Sequence, residues 1–99
     1  MKKTKEEKVI EEILRRFGAP AVELRYESAW QLLVAVILSA QCTDERVNMT
    51  TQTLFSKYPD ITDYTHMETG ELEPLIYSTG FYKNKARHII GAARYLAEH

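Results

Sequence analysis

From Ser28 to Thr43 the chain runs for sixteen residues without a charge: Ser-Ala-Trp-Gln-Leu-Leu-Val-Ala-Val-Ile-Leu-Ser-Ala-Gln-Cys-Thr. The run is too short to span a bilayer, which takes about 20 apolar residues. Leu32, Leu33, Val34, Val36, Ile37 and Leu38 leave no polar face, so an element buried on all sides is expected. Ser28 and Gln31 have the spacing of a capping box and predict a helix over about 29–41. Burying the six aliphatics contributes on the order of 10 kcal/mol, and ordering the segment costs a comparable amount. Such a helix therefore persists only where other elements wrap it. Its polar end, Ser39 to Asp44, then leaves the core at a fixed place, which suits a site.

The flanking sequence supplies the wrapping. Thr4 and Glu7 form another capping-box pair, and Val9, Ile10, Ile13, Leu14 and Phe17 recur at helical spacing, which predicts an amphipathic helix over 4–17. Gly18 and Pro20 stop it. Thr43-Asp44 starts a third helix over about 44–57, with Val47, Thr51, Leu54, Phe55 and Tyr58 on one face and Pro59 at its end. Ile61, Tyr64 and Met67 suggest a short helix. Thr69 is placed to cap a fifth, with Leu72, Leu75 and Ile76 inside and Gly80 beyond its end. Pro74 costs that helix a hydrogen bond unless it lies in the first turn. Ala86, Ile89, Ile90, Ala93 and Leu96 predict a sixth over about 82–97. The fold class is all-α, about six helices around a central apolar one.

Length allows one domain or part of one. The net charge is −1, so no global field attracts nucleic acid. Charge is uneven, however: Asp60 to Glu73 holds five acidic residues and no Lys or Arg, whereas Phe81 to His99 holds Lys83, Lys85, Arg87 and Arg94 against Glu98. The late cations read equally well as a basic patch or as a solvated helix face. Cys42 is the only cysteine, which excludes an internal disulfide, a Cys-rich zinc site and an iron–sulfur cluster held by this chain alone. His66, His88 and His99 show no ligand spacing, so no metal site is expected. Met1 to Glu6 lacks the apolar stretch of a signal peptide, and cytoplasmic residence is expected.

Two places carry more polar detail than packing requires. At Ser39 to Asp44, Gln41 can project an amide that both donates and accepts; the plainer reading is that it bonds the last carbonyls of its own helix. At Ser78 to Ala86 a glycine turn leads into Phe81 and Tyr82, then Lys83 and Lys85. An apolar wedge beside basic groups suits entry into a base stack; alternatively, the two rings pack under the preceding loop.

Leu32-Leu33-Val34-Ala35-Val36-Ile37-Leu38-Ser39-Ala40-Gln41-Cys42-Thr43-Asp44-Glu45-Arg46-Val47-Asn48, together with Thr79-Gly80-Phe81-Tyr82-Lys83-Asn84-Lys85-Ala86, resembles the N-terminal portion of the endonuclease III family. The resemblance covers roughly residues 5–99. These are DNA glycosylases with apurinic/apyrimidinic lyase activity, of the helix-hairpin-helix superfamily. The resemblance implies the helical-barrel part of that fold, with 4–17 as an N-terminal helix and 22–99 as a truncated six-helix-barrel segment. It implies that Gln41 fills the gap left by a flipped-out base and that Phe81, at a position often Leu, wedges in from the other strand. Ser39, Thr43, Asp44 and Tyr82 fall in the matching motifs, with a weaker role in DNA contacts or the pocket, and Lys83 and Lys85 would position phosphates at most.

The same resemblance implies what these residues lack. In the family a Lys in a Leu-Pro-Gly-Val-Gly-x-x-Thr hairpin attacks the sugar, an Asp downstream assists, and four cysteines hold a [4Fe–4S] cluster. Nothing in the 99 residues matches the hairpin, either catalytic residue or the cluster ligands. No catalytic residue, metal ligand or cofactor is therefore expected here, and the piece is expected to be inactive alone. Adenine-removing relatives use a Glu on the central helix; here no carboxylate lies between Glu27 and Asp44, which favours the oxidised-pyrimidine branch. The expected partner is duplex DNA with a damaged base or an abasic site, met at the nucleoid. A complementing C-terminal half, or a second copy in a homo-oligomer, is the alternative partner, with a DNA-binding fragment or an oligomerising helical fragment as the alternative function. No membrane role is expected.

Overall fold

The structure, a computed structural model, describes residues 8–10, 12 and 25–98. The helix expected over 4–17 lies mostly outside the described residues. Within it Lys8, Val9, Ile10 and Glu12 are helical, and Ile10 is fully buried in the core. Among the described residues there is no strand.

The central helix, α1, spans Ala29–Leu38. The Ser28 hydroxyl accepts from the Gln31 amide at 3.1 Å. The reciprocal bond falls one residue earlier than a capping box places it: Gln31 Oε1 accepts from the Glu27 amide at 2.9 Å. The same side chain donates from Nε2 to Pro59 O at 3.1 Å, which fastens the start of α1 to the end of the next helix. Leu33, Val34, Ala35 and Leu38 are buried, whereas Leu32, Val36 and Ile37 are half-buried. The expected burial on every side is thus not reached among the described residues.

Helix α2, Asp44–Lys57, has the expected bounds. Thr43 Oγ1 caps it by accepting from the Arg46 amide, and Asp44 and Glu45 sit in its first turn at the positive end of the dipole. A single turn, α3 (Thr62–Thr65), follows. It is held from outside: buried Tyr64 donates to Tyr58 O at 2.8 Å and sets its ring edge-on to Trp30. Helix α4 spans Thr69–Ile76, and its N-cap is Glu68, not Thr69. The Glu71 carboxylate accepts from the Glu68 amide at 3.1 Å, a bond for which a Thr69 cap leaves no place. Pro74 sits in the second turn, so its missing N–H is a real loss to the helix.

The last helix, α5, spans Tyr82–Glu98 and buries Ala86, Ile89, Ile90, Ala93 and Leu96. It packs on α1, α3 and α4, and α2 packs on α1 and α4. Arg94 on α5 donates to Thr65 O and Met67 O at 3.1 and 3.0 Å, which satisfies carbonyls at the end of α3. Among the described residues no helix is long and apolar enough to cross a membrane.

Candidate nucleic-acid interface

The first polar junction is built by how α1 stops. Ser39 Oγ donates to Val36 O at 2.7 Å, and the Ala40 amide reaches Ile37 O, so the last turn tightens rather than continues. The backbone reverses at Gln41, whose φ is +54°. Gln41 is therefore three residues past the helix end, not on its last turn as expected. Its side chain is exposed and makes no hydrogen bond among the described residues. The plainer reading, a Gln41 occupied with its own helix's carbonyls, does not hold.

The second junction leads from α4 into α5. A 3₁₀ turn, Tyr77–Thr79, closes with Thr79 Oγ1 donating to Ile76 O at 2.7 Å. Gly80 then adopts φ +79° and ψ 157°, a conformation open only to glycine. Phe81 follows at φ +48°, with its carbonyl accepting from the Lys85 amide to start α5. The ring does not pack under the loop: Phe81 is 63% exposed. Tyr82 is half-buried, its ring 4.8 Å from that of Tyr77.

Folding brings the two junctions together. Gln41 and Phe81 border one shallow cavity of about 210 Å³, lined also by Ile37, Ala40, Asn84, Lys85 and His88. An exposed amide with no hydrogen bond among the described residues and an exposed aromatic ring thus border the same hollow. Beneath the gap lies Lys85, only 4% exposed. Its Nζ donates to Leu38 O at 2.9 Å and to Thr79 O at 2.8 Å. Burial pushes its ammonium below the ordinary lysine value, opposed in part by Cys42. Lys85 is therefore no surface cation, and the expectation that it positions a phosphate fails because its donors are turned inward to backbone carbonyls.

The other expected residues are spread more widely. Ser39 is half-buried and occupied within its turn; Thr43 is the α2 cap; Asp44 begins α2. None of these three lines the cavity, and neither does Tyr82 or the exposed Lys83. Sequence reasoning missed Asn84 and His88, which border the cavity from α5. The signal was present as spacing, since residues 81, 84 and 88 recur at helical intervals. Two larger hollows run along α2 and are lined in part by Arg25 and Asn48, but they contain neither Gln41 nor Phe81.

Residues 34–98 match the profile of the HhH-GPD superfamily base excision DNA repair proteins, and the chain belongs to that superfamily. Within it the likeness is to endonuclease III. The chain is 44% identical over 97 residues to the Synechocystis endonuclease III, covering 98% of this chain and 44% of that protein. It is 32% identical over 98 residues to the Escherichia coli K12 protein, covering 99% and 46% respectively. Two solved structures superpose with a TM-score of 0.75 at 37% identity, covering 97% of this chain and 46% of each of theirs. One is a trapped endonuclease III–DNA covalent intermediate, an estranged-adenine complex, and the other a non-covalent endonuclease III–DNA complex. The chain spans less than half the length of these relatives.

Proposed function

We propose that these 99 residues are the duplex-opening part of a base-excision DNA glycosylase and apurinic/apyrimidinic lyase acting on oxidised pyrimidines at the nucleoid. Extruding a base costs a few kcal/mol of stacking and pairing, and groups that fill the vacated space offset part of that. Gln41 supplies hydrogen bonds for the orphaned partner base and Phe81 a face for stacking. The observation that carries this reading is the shared cavity: two exposed, uncharged side chains on strained turns 40 residues apart in sequence line one hollow.

The oxidised-pyrimidine preference rests on the uncharged run, which offers no carboxylate on α1. The catalytic lysine and aspartate of the resemblance must come from sequence other than these 99 residues. A four-thiolate cluster does not fit here: the chain has one cysteine, and among the described residues no His, Cys, Asp and Glu group is placed to hold a metal ion.

Fluorescence anisotropy with matched duplexes, one intact and one carrying an abasic-site analogue, tests the reading. The expected result is tighter binding to the abasic duplex, because the cost of emptying the stack is already met. Gln41→Ala and Phe81→Ala are each expected to reduce that preference by about tenfold, the scale of losing 1–3 kcal/mol of base contact. Equal binding to both duplexes by the unaltered chain would refute it.

A further inference from the structure

A buried lysine is costly, and among the described residues no carboxylate is bonded to it. Among the described residues its Nζ atom bonds the carbonyls of Leu38 and Thr79 alone, at 2.9 and 2.8 Å. If filling space were its purpose, a methionine of similar length would serve without the desolvation penalty. What an ammonium adds is several donors at one point, so it can hold carbonyls from two elements at once. The two carbonyls are placed tellingly. Leu38 is the last residue of α1, three before Gln41, and Thr79 is two before Phe81. The Leu38 carbonyl also lies at the negative end of the α1 dipole, where a cation is favoured.

We infer that Lys85 is a positioning residue: its buried ammonium ties the Gln41 turn to the Phe81 turn at a fixed separation and so sets the width of the gap the two side chains can enter, without touching DNA. This rests on the duplex-opening reading above. Each turn holds its key residue at positive φ with the side chain in solvent. Neither side chain is held by bonds of its own among the described residues, so the geometry of the pair depends on what lies beneath it. Lys85 lines the cavity between them and is bonded to both sides.

The test compares the full 99-residue chain with Lys85→Met and Lys85→Arg. Binding to abasic-analogue and intact duplexes is measured across a salt series, and helicity is checked by circular dichroism. With helicity retained, Lys85→Met is expected to lose about tenfold in preference for the abasic duplex, the scale of one charge-assisted hydrogen bond. Its slope of log affinity against log salt should match the unaltered chain, and Lys85→Arg should recover part of the preference. A slope reduced by about one, with both duplexes weakened alike, is the mark of a phosphate contact and would overturn the inference. An unchanged preference in Lys85→Met would do the same.

Nitrogen-15 spectra of the lysine side chains should show the Lys85 ammonium in slow exchange with water and no other near the cavity so protected. If Lys85→Met does not fold, this signal in the unaltered chain and in Lys85→Arg, where it must vanish, decides the matter. Rapid exchange at Lys85 rejects the tie. Should the unaltered chain show no preference between duplexes, the roles given to Gln41 and Phe81 fall. The tie itself then stands or falls on the ammonium signal.

Discussion

Gln41 and Phe81 hold backbone conformations that L side chains avoid, at about 1–2 kcal/mol each. Strain of this kind persists where surrounding structure over-determines it, and it clusters at working sites. Gln41→Gly removes the strain at the expense of about 0.5–1 kcal/mol of extra chain entropy. The net gain of about 0.5–1 kcal/mol should raise the thermal midpoint by roughly 2–8 °C, at about 4–8 °C per kcal/mol for a domain of this size. The same variant should lose preference for abasic DNA, so stability and binding move in opposite directions at one position. Melting by circular dichroism beside the anisotropy titration checks both. Gly80 shows the reverse case. A Cβ there meets nothing within 4 Å, yet φ is +79°. Gly80→Ala should therefore lower stability by about 1–3 kcal/mol through conformation alone, read as a lower urea midpoint.

Among the elements, α3 depends most on its neighbours. It is four residues long with no side-chain cap bond, and is held by Tyr64 and Arg94. Burial pushes the Tyr64 phenol well above its ordinary value, with Asp63 and Tyr58 adding to the shift. Above about pH 10 the unfolded phenol loses its proton while the folded one keeps it. The native state then binds more protons, so the Tyr64 contribution, complete below pH 10, declines as pH rises. Tyr64→Phe should cost about 1 kcal/mol at pH 8, where Tyr58 O loses its donor. The deficit should shrink between pH 10 and 11, as urea midpoints of the two proteins would report. Legibility in the sequence also varied by element. The bounds of α2 follow from Thr43 and Pro59, and the span of α5 from its apolar spacing, since these signals are local. The end of α1 at Leu38 is not legible locally, because Ser39-Ala40-Gln41 is compatible with a helix. What accompanies the stop is a bond from Lys85, 47 residues away, to Leu38 O. Lys85 does sit in register with Ile89 and Ala93, but its charge suggested a surface position. The N-cap of α4 is hidden in the sequence because Glu68 is a rarer cap than the Thr69 beside it.

At the scale of the whole molecule, the proposed function separates recognition from chemistry. With a net charge of −1, the proposed DNA binding falls to local cations such as exposed Lys83 and Arg87. Affinity for either duplex should therefore fall steeply between about 50 and 200 mM salt. Preference for the abasic duplex should change far less, because Gln41 and Phe81 are uncharged. Chemistry needs an amine free to attack a sugar carbon. The cavity-lining lysine, Lys85, has a lowered pKa, which by itself suits a nucleophile. Its Nζ is nonetheless buried and committed to two carbonyls, and Lys83 does not line the cavity. Borohydride added to this chain on abasic-site DNA should consequently leave no covalent adduct, even at protein concentrations where anisotropy shows the duplex bound. Denaturing electrophoresis and peptide mass mapping read the result. Efficient trapping through Lys85 would mean that the ammonium leaves its carbonyls to reach the sugar, turning the proposed positioning residue into a catalytic one and placing recognition and chemistry in the same cavity.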